Sequence, residues 1–361
     1  MRVVVSAGGT GGHIYPALAI VSKIKEKEPT SEFLYIGTHN RMEKDIVPKY
    51  DIPFQSVKIY GLSRSISFRN IRNVGYCFTA YRQCLKMIKE FKPDIVIGVG
   101  GYVTVPVIMA AHKLGIPTFV HEQNSVVGMA NKMLAKYATK IGVSFESTMD
   151  CFEKDKVSFT GNPCSEKALS IQPMDKKELG LSLHKKLVVL VMGSLGSEKV
   201  NDFLVSMLPM FNGKQYEVVY ITGKDYYEEI KKKAKCGPNV KIVPYVEDAT
   251  RLFKVADILV SRAGASIISE LIALGVPTIY IPSPYVPNNH QLKNAMDLVE
   301  KKAALLIEEK DLKGDKLVRE IDHLFDDRKL YQTIKANLKE QMIPDSSTRI
   351  YEILKSLVSD R

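Results

Sequence analysis

Along the first half of the chain, short apolar runs alternate with stretches in which apolar residues recur at helical spacing. The runs fall at residues 2–6, 33–37, 55–59, 94–98, 117–121 and 140–144, with helical patterning between most of them. A second series begins at Leu187-Val188-Val189-Leu190-Val191 and continues at 217–222, 240–243, 257–261 and 277–281, each run followed by a helical stretch. Runs that are apolar throughout belong to strands buried on both faces, and strands separated by helices form parallel sheets. The pattern predicts an α/β protein of two Rossmann-like, doubly wound halves, with ligands in a cleft between their strand C-terminal ends.

The 361 residues exceed the ~250–300 that one hydrophobic core usually serves. The turn chemistry of Val157-Ser158-Phe159-Thr160-Gly161-Asn162-Pro163 closes the first half, and residues 164–185 read as polar and irregular. Domains are therefore expected at 1–163 and 164–345. An amphipathic helix over 346–361 is expected to pack back on the body.

Each series opens on a glycine loop. The first, Ser6-Ala7-Gly8-Gly9-Thr10-Gly11-Gly12-His13, runs straight into a helix, with Pro16 at a first-turn position and Ala17, Leu18, Ile20, Val21 and Ile24 at helical spacing. Free N–H groups at such a helix start favour an anionic ligand. A dinucleotide loop would need G-x-G-x-x-G and an acid ending the second strand, but the loop continues Gly12-His13-Ile14 and that strand ends Gly37-Thr38-His39. A Walker loop would need Gly-Lys-Ser/Thr, which is also missing. His13, with an ordinary pKa of ~6.5, is either a base for a hydroxyl nucleophile or a capping and phosphate-contacting residue.

Three further polar clusters follow apolar runs. His121-Glu122-Gln123-Asn124 ends a strand, where its side chains either recognise hydroxyls or form a satisfied turn. Ser261-Arg262-Ala263-Gly264-Ala265-Ser266-Ile267-Ile268-Ser269-Glu270 enters a helix through small residues that let a diphosphate approach, and Glu270 has the acceptors for a ribose diol. Asn288-Asn289-His290-Gln291 precedes another helix and suits sugar hydroxyls.

Charge adds one asymmetry. Of the net +11, residues 1–160 hold 21 Lys/Arg against 13 Asp/Glu, or +8, leaving 30 against 27, or +3, for the rest. Between 58 and 92, Lys58, Arg64, Arg69, Arg72, Arg82, Lys86, Lys89 and Lys92 face only Glu90, with Tyr76, Phe78, Tyr81, Leu85 and Ile88 interleaved. This is either a membrane-interface stretch or a core-facing helix with a basic outer side. The first half is thus expected to meet an anionic membrane surface. No zinc finger, aromatic RNA-binding motif or tryptophan supports nucleic acid. Five scattered cysteines indicate neither disulfides nor zinc and fit a reducing cytoplasm. Residues 1–14 are too glycine-rich for a signal peptide, and no run of ~20 apolar residues would span a bilayer.

In order along the chain stand Gly8-Gly9-Thr10-Gly11-Gly12-His13, Gly98-Val99-Gly100-Gly101-Tyr102, His121-Glu122-Gln123-Asn124, Gly161-Asn162-Pro163, Gly193-Ser194-Leu195-Gly196, Ser261-Arg262-Ala263-Gly264-Ala265, and His290-Gln291 before Asn294-Ala295. Together they resemble, over nearly the whole length, the MurG family of GT-B glycosyltransferases, which move N-acetylglucosamine from UDP onto lipid I to make lipid II. The resemblance implies a GT-B fold with the lipid-linked acceptor on the first domain and UDP-N-acetylglucosamine on the second. It places Thr10, Gly11, Gly12 and Asn124 at the sugars or acceptor, Ser194 at the donor diphosphate, and Val246 at the uracil through its backbone. Ala265, Ser266, Ile267, Ile268 and Ser269 would hold the phosphates with Arg262 nearby, Glu270 the ribose, and His290 and Gln291 the transferred sugar. Membrane contact would fall on Arg69, Arg72, Tyr76, Phe78, Tyr81 and Arg82, at the cytoplasmic face of the bacterial membrane. No metal or other cofactor is implied. Two positions depart from the family pattern: Cys164 and Ser165 follow Gly-Asn-Pro where an arginine often stands, and Leu195 replaces a frequent glutamine.

The implied reaction is an inverting transfer in which the C4 hydroxyl of the N-acetylmuramyl unit attacks C1 of the donor sugar. His13 is the expected general base, with Glu122 second. The alternatives are another GT-B glycosyltransferase acting on a glycolipid or natural product, a UDP-N-acetylglucosamine epimerase, and a basic nucleotide-sensing or scaffold protein.

Overall fold

The computed structural model describes residues 1–61, 68–193 and 196–359, with the backbone alone for 68–72. The chain divides into two compact units, Met1–Cys164 with Asp345–Arg361, and Ser165–Pro344.

Unit 1 holds seven strands: β1 (Arg2–Ser6), β2 (Glu32–Thr38), β3 (Phe54–Val57), β4 (Ile95–Gly98), β5 (Thr118–Glu122), β6 (Lys140–Val143) and β7 (Val157–Phe159). They form one parallel sheet in the order β3-β2-β1-β4-β5-β6-β7. Unit 2 holds β8 (Lys186–Val191), β9 (Tyr216–Ile221), β10 (Val240–Val243), β11 (Ile258–Ser261), β12 (Thr278–Tyr280) and β13 (Leu305–Leu306), parallel in the order β10-β9-β8-β11-β12-β13. The continuous apolar runs have the burial they predict. Val3, Val4 and Val5 in β1, and Leu187 through Leu190 in β8, have no exposed surface, because helices cover both faces of each sheet.

Those helices are α1 (Gly11–Lys27), the short α2 (Glu43–Ile46), α3 (Phe68–Phe91), α4 (Thr104–Lys113), α5 (Met129–Leu134) and α6 (Cys164–Ser170). In the second series come α7 (Glu198–Met207), α8 (Tyr227–Lys233), α9 (Ala249–Phe253), α10 (Ala265–Leu274), α11 (His290–Glu300), α12 (Lys316–Asp326), α13 (Arg328–Gln341) and α14 (Ser346–Ser359). Two strands lie outside the runs read from the sequence. β7 and β13 are edge strands of three and two residues, paired on one side only, so neither has a long apolar run to mark it. Residues 164–185 are also more ordered than their polarity suggests, since they contain α6 and a 3₁₀ turn over Lys176–Leu179 closed by a capping box at Asp175 and Glu178.

The last helix, α14, belongs to unit 1 although it follows unit 2 in sequence. Its Ile350, Tyr351 and Leu354 join a core with Val3, Ile14, Ile20 and Phe119. Its polar side is fastened to Glu28, which accepts from Lys355 Nζ at 2.6 Å and Tyr351 OH at 3.0 Å. The Lys355 ammonium, foremost among these partners, holds the Glu28 carboxyl down at about 2.

In each sheet the strand order reverses once, between β1 and β4 and between β8 and β11. Loops leaving the two strands of such a pair run in opposite directions and open a crevice at the strand ends.

Candidate functional site

At the first reversal the β1–α1 and β4–α4 loops touch. Gly8 N–H donates to Gly100 O at 3.2 Å. Gly100 and Gly101 have φ of 106° and 90°, and a Cβ on Gly101 would collide with the Gly8 carbonyl, so the approach needs glycine. The half-buried His13 ring lies in this contact. Its Nδ1 is 3.0 Å from Gly8 O; a carbonyl only accepts, so Nδ1 carries a proton. A Cβ on Gly100 would stand 2.6 Å from His13 Cδ2.

The anion-binding capacity of the loop is narrower than its four glycines suggest. Gly8 N–H is taken by Gly100 O and Gly9 N–H by Glu43 Oε2 at 3.1 Å. Gly11 and Gly12, in the first turn of α1, keep N–H groups that no intrahelical carbonyl can reach. Thr10 is exposed at the N-cap and its hydroxyl makes no capping bond. Glu43 was not legible in the sequence as part of the site. It is fully buried in α2 and also accepts from Thr38 N at 2.9 Å and Thr38 Oγ1 at 2.5 Å.

The His121-Glu122-Gln123-Asn124 cluster corrects the expectation of hydroxyl recognition. His121, Glu122 and Gln123 are buried and bonded to their own surroundings. His121 Nε2 donates to Gly161 O at 3.0 Å, and its Nδ1 accepts from Gln123 Nε2 at 3.0 Å. Burial pushes the imidazole down to about 4, so the ring is neutral. Glu122 takes Asn124 N and Nδ2 on one oxygen, and Gly128 N and Asn131 Nδ2 on the other, at 2.8–3.2 Å. Its carboxylate thus braces residues 123–131, and Asn124 alone of the four is half-exposed.

At the second reversal the β8–α7 loop repeats the glycine geometry, with Gly193 and Gly196 at φ of 87° and 78°. Ser194 and Leu195 lie outside the described residues. Arg262, at the end of β11, does not present its guanidinium to a ligand. It is 7% exposed and donates to Ile281 O at 3.0 Å and Ser197 Oγ at 2.7 Å, while Nη2 pairs with Glu309 at 2.8 Å. Arg262 therefore ties the two loops of the reversal together.

In α10 the N-cap is Gly264, with no side-chain cap. Ala265, Ser266 and Ile267 form the first turn, and Ser266 Oγ is buried with no hydrogen-bond partner among the described residues. Ile268 is a correction: its side chain is fully buried core and its N–H already donates to Gly264 O at 3.0 Å. Ser269 Oγ likewise donates to Ala265 O at 2.8 Å, so its hydroxyl proton is committed. Glu270 is half-buried beside Thr250, and burial raises its carboxyl to about 7 against the lowering effect of the Thr250 hydrogen bond. Val246, in the turn after β10, has a buried side chain. His290 Nδ1 donates to Pro287 O at 2.9 Å at the start of α11, and Gln291 Oε1 accepts from Ser283 N at 2.9 Å. Ser165, where the resemblance leads one to look for an arginine, donates its hydroxyl to Ile343 O.

The basic stretch falls on α3 and divides by face. Val74 and Phe78 are 56% and 57% exposed, and the Arg82 guanidinium lies over the Phe78 ring at 4.7 Å. Tyr76 instead leans on Tyr60 and Lys58, and Tyr81 packs against the core, which removes both from the outer face. The side chains of Arg69 and Arg72 lie outside the described residues. No described helix is long and apolar enough to cross a membrane.

Comparison with known proteins gives the geometry its context. The profile of the glycosyltransferase family 28 N-terminal domain matches residues 3–143, and that of the C-terminal domain matches residues 187–350. A UDP-N-acetylglucosamine–N-acetylmuramyl-(pentapeptide) pyrophosphoryl-undecaprenol N-acetylglucosamine transferase of Bacillus cereus is 46% identical, over 99% of this chain and 100% of its own. The crystal structure of Acinetobacter baumannii MurG matches with a TM-score of 0.79 at 25% identity, covering 98% of this chain and 99% of that one. A Neisseria meningitidis UDP-GlcNAc 2-epimerase bound to UDP-GlcNAc has a TM-score of 0.70 at 15% identity, over 99% and 100% of the chains, and shares the fold alone.

Proposed function

Because this chain belongs to glycosyltransferase family 28, we propose that it transfers N-acetylglucosamine from UDP-N-acetylglucosamine to the C4 hydroxyl of the N-acetylmuramyl unit of lipid I, giving lipid II. The observation that carries this reading is the 46% identity, end to end, with a transferase whose name states that reaction. The enzyme is a UDP-sugar-dependent hexosyltransferase of peptidoglycan synthesis.

Within this reading unit 2 takes the donor. The first turn of α10 offers N–H groups and the unpartnered Ser266 hydroxyl to the diphosphate, Glu270 accepts from the ribose, and the Val246 backbone meets the uracil. Ser194, His290 and Gln291 complete the donor side. Negative charge grows on the departing UDP, and fixed N–H dipoles stabilise it in the transition state; losing one such donor typically costs about 10²–10³ in rate. Unit 1 takes the acceptor, with Thr10, Gly11, Gly12 and Asn124 along its path. His13 is the general base. Its Nδ1–H donates to Gly8 O, which leaves Nε2 as the ring nitrogen to take the attacking hydroxyl's proton. Four hydrogen bonds on the Glu122 carboxylate favour His13 over it. The +8 charge of residues 1–160 and the outward Val74, Phe78 and Arg82 support peripheral binding to an anionic membrane surface on the cytoplasmic side.

The test is a radiolabelled sugar-transfer assay with UDP-N-acetylglucosamine and lipid I, run with and without the acceptor. Label is expected in the lipid only when lipid I is present. Turnover of the donor alone would assign the chain to the epimerases, and transfer to diacylglycerol in preference to lipid I would assign it to glycolipid synthesis.

A further inference from the structure

One peptide unit joins two side chains at the first strand reversal. The Gly8–Gly9 peptide donates its N–H to Glu43 Oε2 at 3.1 Å and accepts the His13 Nδ1 proton on its carbonyl at 3.0 Å. We infer that Glu43 is a positioning residue for His13, acting through this peptide as a carboxylate acts directly on histidine in a hydrolase triad. The inference rests on the reading of His13 as general base.

The geometry supports it on three counts. Gly9 N–H and Thr38 N–H are obligate donors, one to each Glu43 oxygen, so both oxygens accept. Glu43 has no cation within ion-pairing distance among the described residues, and its charge is therefore expressed through the hydrogen bonds it accepts. A carboxylate on the N–H end polarises the amide, makes the Gly8 carbonyl a stronger acceptor, and so fixes the Nδ1–H tautomer and raises the basicity of Nε2. Finally, a Cβ on Gly8 would lie 2.6 Å from Glu43 Oε1, so the carboxylate fills the space that glycine leaves. No proton travels along this chain of bonds. Tyr35, Glu43 and His13 are the titratable side chains that hydrogen-bond residues 7–9 among the described residues. Burial holds the Tyr35 phenol well above its ordinary value, so it stays neutral.

The experiment is the pH dependence of kcat/KM in Glu43→Gln, with the ¹⁵N shifts of the His13 ring recorded alongside. Removing the charge is expected to lower kcat about tenfold with the donor KM unchanged, and to move the acidic limb to lower pH. The same substitution should have no further effect in a His13→Ala background, because the two act as one unit. A Glu43→Gln enzyme that loses thermal stability but keeps the limb in place would overturn the inference and leave Glu43 a brace for the loop. Should that variant not fold, Thr38→Val decides: it removes one donor from the carboxylate, concentrates the charge on Gly9, and is expected to move the limb upward, while an unmoved limb overturns the inference. Wild-type turnover by His13→Ala would sink the base role instead. The ¹⁵N shifts would then still test the link to Glu43: a changed Nδ1–H population in Glu43→Gln supports it, and an unchanged one overturns it.

Discussion

The Thr250 hydroxyl donates to Glu270 Oε2 at 3.0 Å, and this bond opposes only part of the burial that lifts the Glu270 carboxyl to about 7. A ribose diol brings two O–H donors and prefers the ionised carboxylate. UDP-N-acetylglucosamine should therefore bind more tightly at pH 8 than at pH 6 by calorimetry, and Glu270→Gln should flatten the dependence. Glu270→Ala should raise the donor KM about tenfold or more. In the unliganded protein the sign reverses. A carboxyl raised in the folded state adds stability that is complete below about 4.5 and lost as pH rises through about 7, so Glu270→Gln should gain on the wild type in thermal unfolding above pH 7. Donor affinity equal at pH 6 and 8 would discard the ribose contact.

His13→Ala removes the imidazole at the glycine contact. Turnover should fall at least ~10²-fold with donor affinity nearly kept. Retained turnover would end the base role.

Gly100→Ala places a methyl 2.6 Å from His13 Cδ2 at a φ of 106°. The backbone strain costs about 1–3 kcal/mol. Because the methyl also displaces the ring, kcat should drop further than the stability loss accounts for. Full kcat at a temperature where the variant is folded would show that the ring position is not critical.

His121 is buried neutral, and its imidazole is held down at about 4. The unfolded chain binds this proton from ~6.5 downward, so the contribution to stability is complete above 6.5 and is lost as pH falls toward 4. Denaturant midpoints should decline over that window, and less steeply in His121→Gln. Parallel slopes for the two proteins would place the acid sensitivity elsewhere.

Phe78→Ser with Arg82→Gln strips the exposed face of α3 while leaving the core-facing Tyr81 alone. Flotation with anionic liposomes should weaken, and the remaining binding should be less sensitive to salt. Unchanged flotation would return the helix to a structural role.

The parts of the fold that were legible in the sequence are those that burial writes on both faces at once, such as Val3–Val5 and Leu187–Leu190. β7 and β13 were not, because an edge strand of two or three residues leaves no run to read. The two glycine loops were plain from composition, yet which N–H groups they spend internally was not, because Glu43 lies 34 residues from Gly9 in a four-residue helix too short to carry a periodic signal. His121 and Gln123 misled for a related reason: polarity at a strand end marks a ligand edge only if the side chain points outward. Gly142 on the neighbouring strand supplies the space that lets His121 turn in, since a Cβ there would stand 3.0 Å from His121 Cδ2. Tyr76 and Tyr81 share a basic helix with Phe78, and only the register of α3 against the core separates them.

The placement of α14 has a consequence for synthesis on the ribosome. Unit 1 begins the chain, yet Ile350, Tyr351 and Leu354 of its core are translated after all ~180 residues of unit 2. At ~5–20 residues per second that interval lasts on the order of ten to forty seconds. During it the apolar side chains of α1 that pack with those residues lack their cover, and the second unit can complete its own core before the first. The half of the chain that emerges first is thus the last to be sealed.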